Sequence, residues 1–85
     1  MLLGCSTYSL IQELNLPEDD YQQIVTILEK EMKYDLVSAQ IVDDHQIKVI
    51  SSTGQQINGR EQLLFISKNS GSWAVDDEFI KIYDP

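Results

Sequence analysis

Apolar residues recur at helical spacing along one long stretch, Pro17 to Tyr34. Tyr21, Ile24, Val25, Leu28 and Met32 fall three or four apart, with Gln22, Gln23, Glu29, Lys30 and Lys33 on the opposite side. The spacing predicts an amphipathic helix whose apolar stripe needs a partner. Pro17 suits its first turn, and Glu18, Asp19 and Asp20 set negative charge at the positive end of its dipole. Upstream, Leu10, Ile11 and Leu14 stand behind Ser6 or Thr7 as an N-cap and predict a short helix of about two turns. Asn15-Leu16-Pro17 closes it, because the residue before a proline is pushed out of the helical region.

From Leu36 onward the period becomes that of strands. Val37, Ala39 and Ile41 share one face while Ser38 and Gln40 take the other, and Asp43-Asp44-His45-Gln46 is composed as a turn. Ile47 and Val49 against Lys48 and Ile50 form the return strand of a hairpin. Ser51 to Gln56 is a polar loop, and Gly59 precedes a long strand from Arg60 to Lys68. The middle of that strand, Leu63 to Ile66, is apolar on both faces, as in a central strand. Asn69-Ser70-Gly71-Ser72 supplies the next reversal. Trp73 and Val75 continue as strand, Asp76-Asp77-Glu78 interrupts the pairing or introduces a bulge, and Phe79 to Tyr83 forms the last strand. The expectation is a single α+β domain over residues 1–85: one long helix, plus a short N-terminal one, packed on a four- to five-stranded antiparallel meander sheet.

Size and charge narrow what such a domain can do. A chain of 85 residues buries a modest core, so its stability is marginal unless something adds to it. Cys5 is the single cysteine and His45 the single histidine, which leaves no internal disulfide and no metal cage. Neither a metal nor another cofactor is expected, and oligomerisation is the remaining supplement. Fourteen acidic against six basic residues give a net charge of −8, which repels phosphate backbones and anionic lipid. The basic residues Lys30, Lys33, Lys48, Arg60, Lys68 and Lys81 are spread singly, so direct nucleic-acid binding is not expected. Nor is catalysis, since His45 sits at a hairpin tip, a poor place to build a substrate pocket.

Two stretches invite more specific chemistry. Leu2-Leu3-Gly4-Cys5 resembles the lipobox at which bacterial lipoprotein precursors are cut, and the resemblance implies lipid attachment at Cys5. A working signal needs an apolar run of roughly 7–15 residues, however, and three residues precede Gly4. Either a longer envelope lipoprotein has been cut near its processing site, or the chain starts naturally at Met1 as a cytoplasmic protein whose thiol is a small hydrophobe. A membrane is a partner in the first case alone. The second stretch is Trp73 with Asp76, Asp77 and Glu78. The tryptophan is either an interface anchor or an indole buried beneath the helix, where a small core gains much from it. The carboxylates are either a docking patch for a basic partner or charges that blunt a sheet edge.

The C-terminal half, Gln46 to Ile82, resembles the closing strands of cystatin-like, nuclear-transport-factor-like α+β rolls. A hairpin strand IKVISS, a glycine before GREQLLFISK, and the turn of NSGSWAVDD leading into a tryptophan strand carry the likeness, with Lys68, Gly71, Trp73 and Val75 in the arrangement of that superfamily. The resemblance implies a small binding or assembly module that dimerises through the open face of its sheet. Enzymatic members use a longer chain to enclose a pocket, which this sequence is too short to build.

Three functions follow as expectations. The first is a non-catalytic protein-interaction module acting as a homodimer, because one sheet-covering helix can satisfy only one face of Leu63 to Ile66. The second is an acidic inhibitor or immunity-type protein that blocks a basic site on a nucleic-acid enzyme, and it requires Glu18, Asp19, Asp20, Asp43, Asp44, Asp76, Asp77 and Glu78 to gather on one surface. The third is a fragment of a bacterial envelope lipoprotein.

Overall fold

The computed structural model describes residues 5–55 and 57–83. It shows a mixed fold of two helices followed by a four-stranded sheet: α1 (Cys5–Gln12), α2 (Glu18–Glu31), β1 (Asp35–Asp43), β2 (Gln46–Ser52), β3 (Arg60–Asn69) and β4 (Ser72–Ile82). The sheet is an antiparallel meander in chain order, β1-β2-β3-β4, so β2 and β3 are central and β1 and β4 are edges. The last two predicted strands are one.

The helix stripe packs as its spacing demands. Ile24, Val25, Leu28 and Met32 are buried together with Ile11 of α1, against Leu36, Ile47, Val49, Leu64, Ile66 and Trp73 of the sheet. The covering layer is therefore shared between two helices rather than laid down by one, with α1 against β1 and α2 against β4. Asn15 ends α1 in the left-handed region at φ 56°, and Pro17 caps α2, its carbonyl accepting the Tyr21 amide at 2.9 Å.

The second helix stops at Glu31, three residues short of the Tyr34 boundary that the apolar spacing suggests. The cause is Gln62, a fully buried side chain of β3. Its Nε2 donates to the Glu31 carbonyl at 2.9 Å and its Oε1 accepts the Lys33 amide at 2.8 Å, taking the two backbone groups that another helical turn would have used.

Three register slips, two in β1 and one in β4, set which side chains face the helices; the second in β1 lies between Ile41 and Asp43 and leaves Val42 as the extra residue. In β1 the register slips between Leu36 and Ser38, so Val37 is the extra residue and is 56 % exposed. Leu36, Ala39 and Ile41 align with Ser51, Val49 and Ile47 on the helix side, which corrects the expected Val37-Ala39-Ile41 face. In β4 the slip falls opposite Phe65 and Ile66, where Val75 pairs with Ile66 and Asp77 with Phe65, leaving Asp76 as the extra residue. The β3–β4 turn holds Ser70 at φ 53° and Gly71 at φ 83°, the two left-handed positions of a tight primed turn. Gly59 is fixed differently: a Cβ there would collide with the backbone carbonyl of Gln55.

Candidate functional site

The helix-facing side of the sheet is closed by two polar locks. Trp73, 8 % exposed, lies under α2; its indole Nε1 donates to Asp20 Oδ1 at 3.1 Å, and its backbone amide donates to Gln23 Oε1 at 2.9 Å. Lys68, which pairs with Trp73 across β3 and β4, donates to the same Asp20 oxygen at 3.1 Å. The indole and lysine hydrogen bonds hold the Asp20 carboxyl below the ordinary carboxylate range. Part of the acidic first turn is thus structural. The second lock is Gln62, which besides clamping the end of α2 accepts from Ser51 Oγ at 3.1 Å and donates to Glu78 Oε2 at 2.8 Å. Glu78 also stands 3.9 Å from Lys33 Nζ.

The bulge of β4 keeps Asp76 and Asp77 together on the open side of the sheet, and the ordinary pleat sends Glu78 to the helix side. Glu78 aligns with Leu64 and turns to the helix side, towards Gln62. Asp76 accepts from Ser67 Oγ at 3.2 Å and lies 3.5 Å from Gln46 Nε2 on the open side, where Asp77 also pairs with Phe65. Trp73, Asp76, Asp77 and Glu78 therefore do not form one surface. A different set comes together at the end of the molecule: Asp20, Asp43 and Asp44 line a cleft of about 200 Å³ with Leu16, Pro17, Ile41, Ile47 and Trp73. Glu18 and Asp19 share the first turn of α2 with Asp20 but do not line this cleft. His45 occupies the exposed tip of the β1–β2 hairpin, its amide donating to Asp43 Oδ1 at 2.7 Å. The lipobox-like residues 1–4 lie outside the described residues, as does the Cys5 side chain on which lipid attachment depends.

The open side of the sheet carries a continuous apolar row. Ile50, Leu63 and Phe79 align across β2, β3 and β4, flanked by Ser38 of β1. In the next row Lys48, Phe65 and Asp77 align in the same way. Phe65 meets Phe79 edge-to-face, with ring centroids 6.3 Å apart and planes at 89°. Both helices lie on the opposite face, and Phe79 is 55 % exposed. Along the third row Glu61 pairs with Lys81, and the Tyr83 hydroxyl donates to Glu61 at 2.9 Å, a bond that raises the tyrosine pKa.

No protein family, curated protein or solved structure matches the chain. The likeness to cystatin-like rolls stands on Lys68, Gly71, Trp73, Val75 and their flanking strands alone.

Gln62 is the residue that sequence reasoning passed over. Its signal was its phase, since it occupies the same alternate positions as Leu64 and Ile66 and so had to be a buried amide in need of partners.

Proposed function

We propose that this chain is a non-catalytic protein-interaction module that acts as a homodimer through the open face of its sheet. The row Ile50-Leu63-Phe79, with Phe65 packed edge-to-face beside it, carries this reading. Apolar side chains aligned across three strands form a contiguous patch rather than scattered exposed residues, and such patches mark contact sites. A small domain of marginal stability gains most from having that patch covered. Light scattering on Phe79→Lys tests it: the wild-type chain runs at twice the 9.7 kDa chain mass and the variant at the chain mass, with its circular dichroism unchanged. A wild-type chain that stays monomeric rejects the reading.

A second reading, the blocking of a basic site on a nucleic-acid enzyme, keeps only part of the surface it requires: Asp43 and Asp44 share a cleft with Asp20, whose carboxylate is engaged by Trp73 and Lys68, while Asp76, Asp77 and Glu78 lie away on β4. Inhibition assays against a panel of basic nucleases test it. Inhibition that disappears in Asp43→Asn/Asp44→Asn supports it, and an unchanged nuclease rate across the panel removes it.

A further inference from the structure

Resting on the homodimer reading, we infer that the second copy docks with its two-fold axis along β3, setting Lys48 of one chain against Asp77 of the other. The argument begins with the register. Lys48 and Asp77 both align with Phe65, from opposite sides, so they stand one strand to the left and one strand to the right of β3 at the same height. Adjacent strands are about 4.8 Å apart, which puts the two charges roughly 10 Å from each other across the aromatic ring. Among the described residues neither has an ion pair or a side-chain hydrogen bond of its own.

A two-fold axis laid along β3 exchanges β2 of one copy with β4 of the other. It then places each Lys48 over the partner's Asp77, each Ile50 over the partner's Phe79, and the Leu63 and Phe65 side chains over their own copies. Opposite charges meet twice and the apolar row meets itself, which is the self-complementarity that an isologous interface requires. An axis between β2 and β3 instead puts Lys48 over Phe65 and Asp77 over Gln40, leaving both charges without partners in the contact. The strands of the two sheets run near-parallel in the chosen arrangement, within the usual twist of aligned sheet packing.

The charge balance of the face fits a second copy as occupant. Along β2, β3 and β4 the apolar rows are bordered by Lys48 and Lys81 against Glu61, Asp77 and the bulged Asp76, whose carboxylate meets Ser67 and Gln46, a near balance although the whole chain carries −8. Further acidic groups lie at the first turn of α2 and the β1–β2 turn, and those of β1, Asp35 and Asp43, stand on the strand that the axis leaves outside the overlap. Glu61 is the one residue the axis brings towards its own charge, and it is held by the Tyr83 hydroxyl and stands opposite Lys81. With the axis along β3 the strands β2, β3 and β4 overlap while β1 lies beyond the partner's sheet, and the three overlapping strands present roughly 400 Å² in projection.

A charge-swap cycle tests the arrangement. Lys48→Glu and Asp77→Lys are made singly and together, and dimer dissociation is measured by sedimentation equilibrium, with thermal melts to confirm that each variant folds. Each single variant sets like charges against each other at two places in the dimer and is expected to raise the dissociation constant about tenfold. The double variant restores opposite charges and is expected to return to within about threefold of wild type. A double variant no tighter than the weaker single overturns the β3 axis while leaving the homodimer intact. A monomeric wild type overturns both.

Discussion

At the scale of single residues, two buried polar groups decide more than any apolar side chain. Gln62 satisfies the end of α2, the Ser51 hydroxyl and the Glu78 carboxylate at once, so all four of its bonds cross between elements. Replacing it with leucine keeps the volume but strands several partners, each costing about 1–3 kcal/mol. Gln62→Leu is therefore expected to lose roughly 3 kcal/mol in urea unfolding, and a change below about 0.5 kcal/mol contradicts the role assigned to it. Asp20 has an acid-sensitive role. Its pKa is lowered in the folded chain, by the Trp73 indole first and by Lys68 next. Its contribution is therefore present above the unfolded carboxyl value of about 3.9 and lost as pH falls through the lowered folded value. The stability advantage of wild type over Asp20→Asn should shrink on acidification below about pH 4. Thermal melts of the pair across that range check this, and a constant difference contradicts it. Trp73→Phe removes the indole donor and brings the folded Asp20 pKa nearer its ordinary value, so in thermal melts the acid-dependent loss should be smaller and complete at higher pH than in wild type, and an unchanged profile contradicts this.

At the scale of elements, turn and bulge chemistry fixes the faces of the sheet. Ser70 occupies a left-handed position that asparagine accepts more readily than serine, next to Gly71 in the second such position. Ser70→Asn is expected to raise the melting temperature by a few degrees, corresponding to about 0.5 kcal/mol, and a lowered melting temperature contradicts the turn assignment. Much of this level was legible in the chain. The Tyr21-to-Met32 stripe, the polar 43–46 turn and the Ser70-Gly71 reversal each carry a local signal, and each lies where its pattern places it. What could not be seen depended on partners distant in sequence. The end of α2 is set by a glutamine 31 residues away from Glu31. The Val37 bulge puts Leu36 rather than Val37 on the helix side opposite Ser51, in a stretch whose alternation Leu36 and Val42 already blur. The Asp76 bulge is one of the two outcomes the sequence allows; it keeps Asp76 and Asp77 together on the open side, while the strand's own alternation turns Glu78 to the helix side and separates it from them.

At the scale of the whole molecule, the helix layer is shorter than the sheet it covers. The chain extends 42 Å along its longest axis. Eleven residues of β4 span about 37 Å at strand rise, whereas fourteen residues of α2 span about 21 Å. The far half of β4 accordingly leaves Ile80 and Ile82 exposed on the helix side, at 42 % and 57 %, in addition to Phe79 on the open side. An isolated monomer with apolar residues on both faces of an edge strand is a poor end state, since such edges invite pairing. A second copy docked as proposed would cover Phe79 on the open face. The most direct measurement is the mass of the wild-type chain by sedimentation equilibrium over a wide dilution series. The account predicts a dimer of twice the 9.7 kDa chain mass that dissociates only at the dilute end, and a species at the chain mass throughout would contradict it.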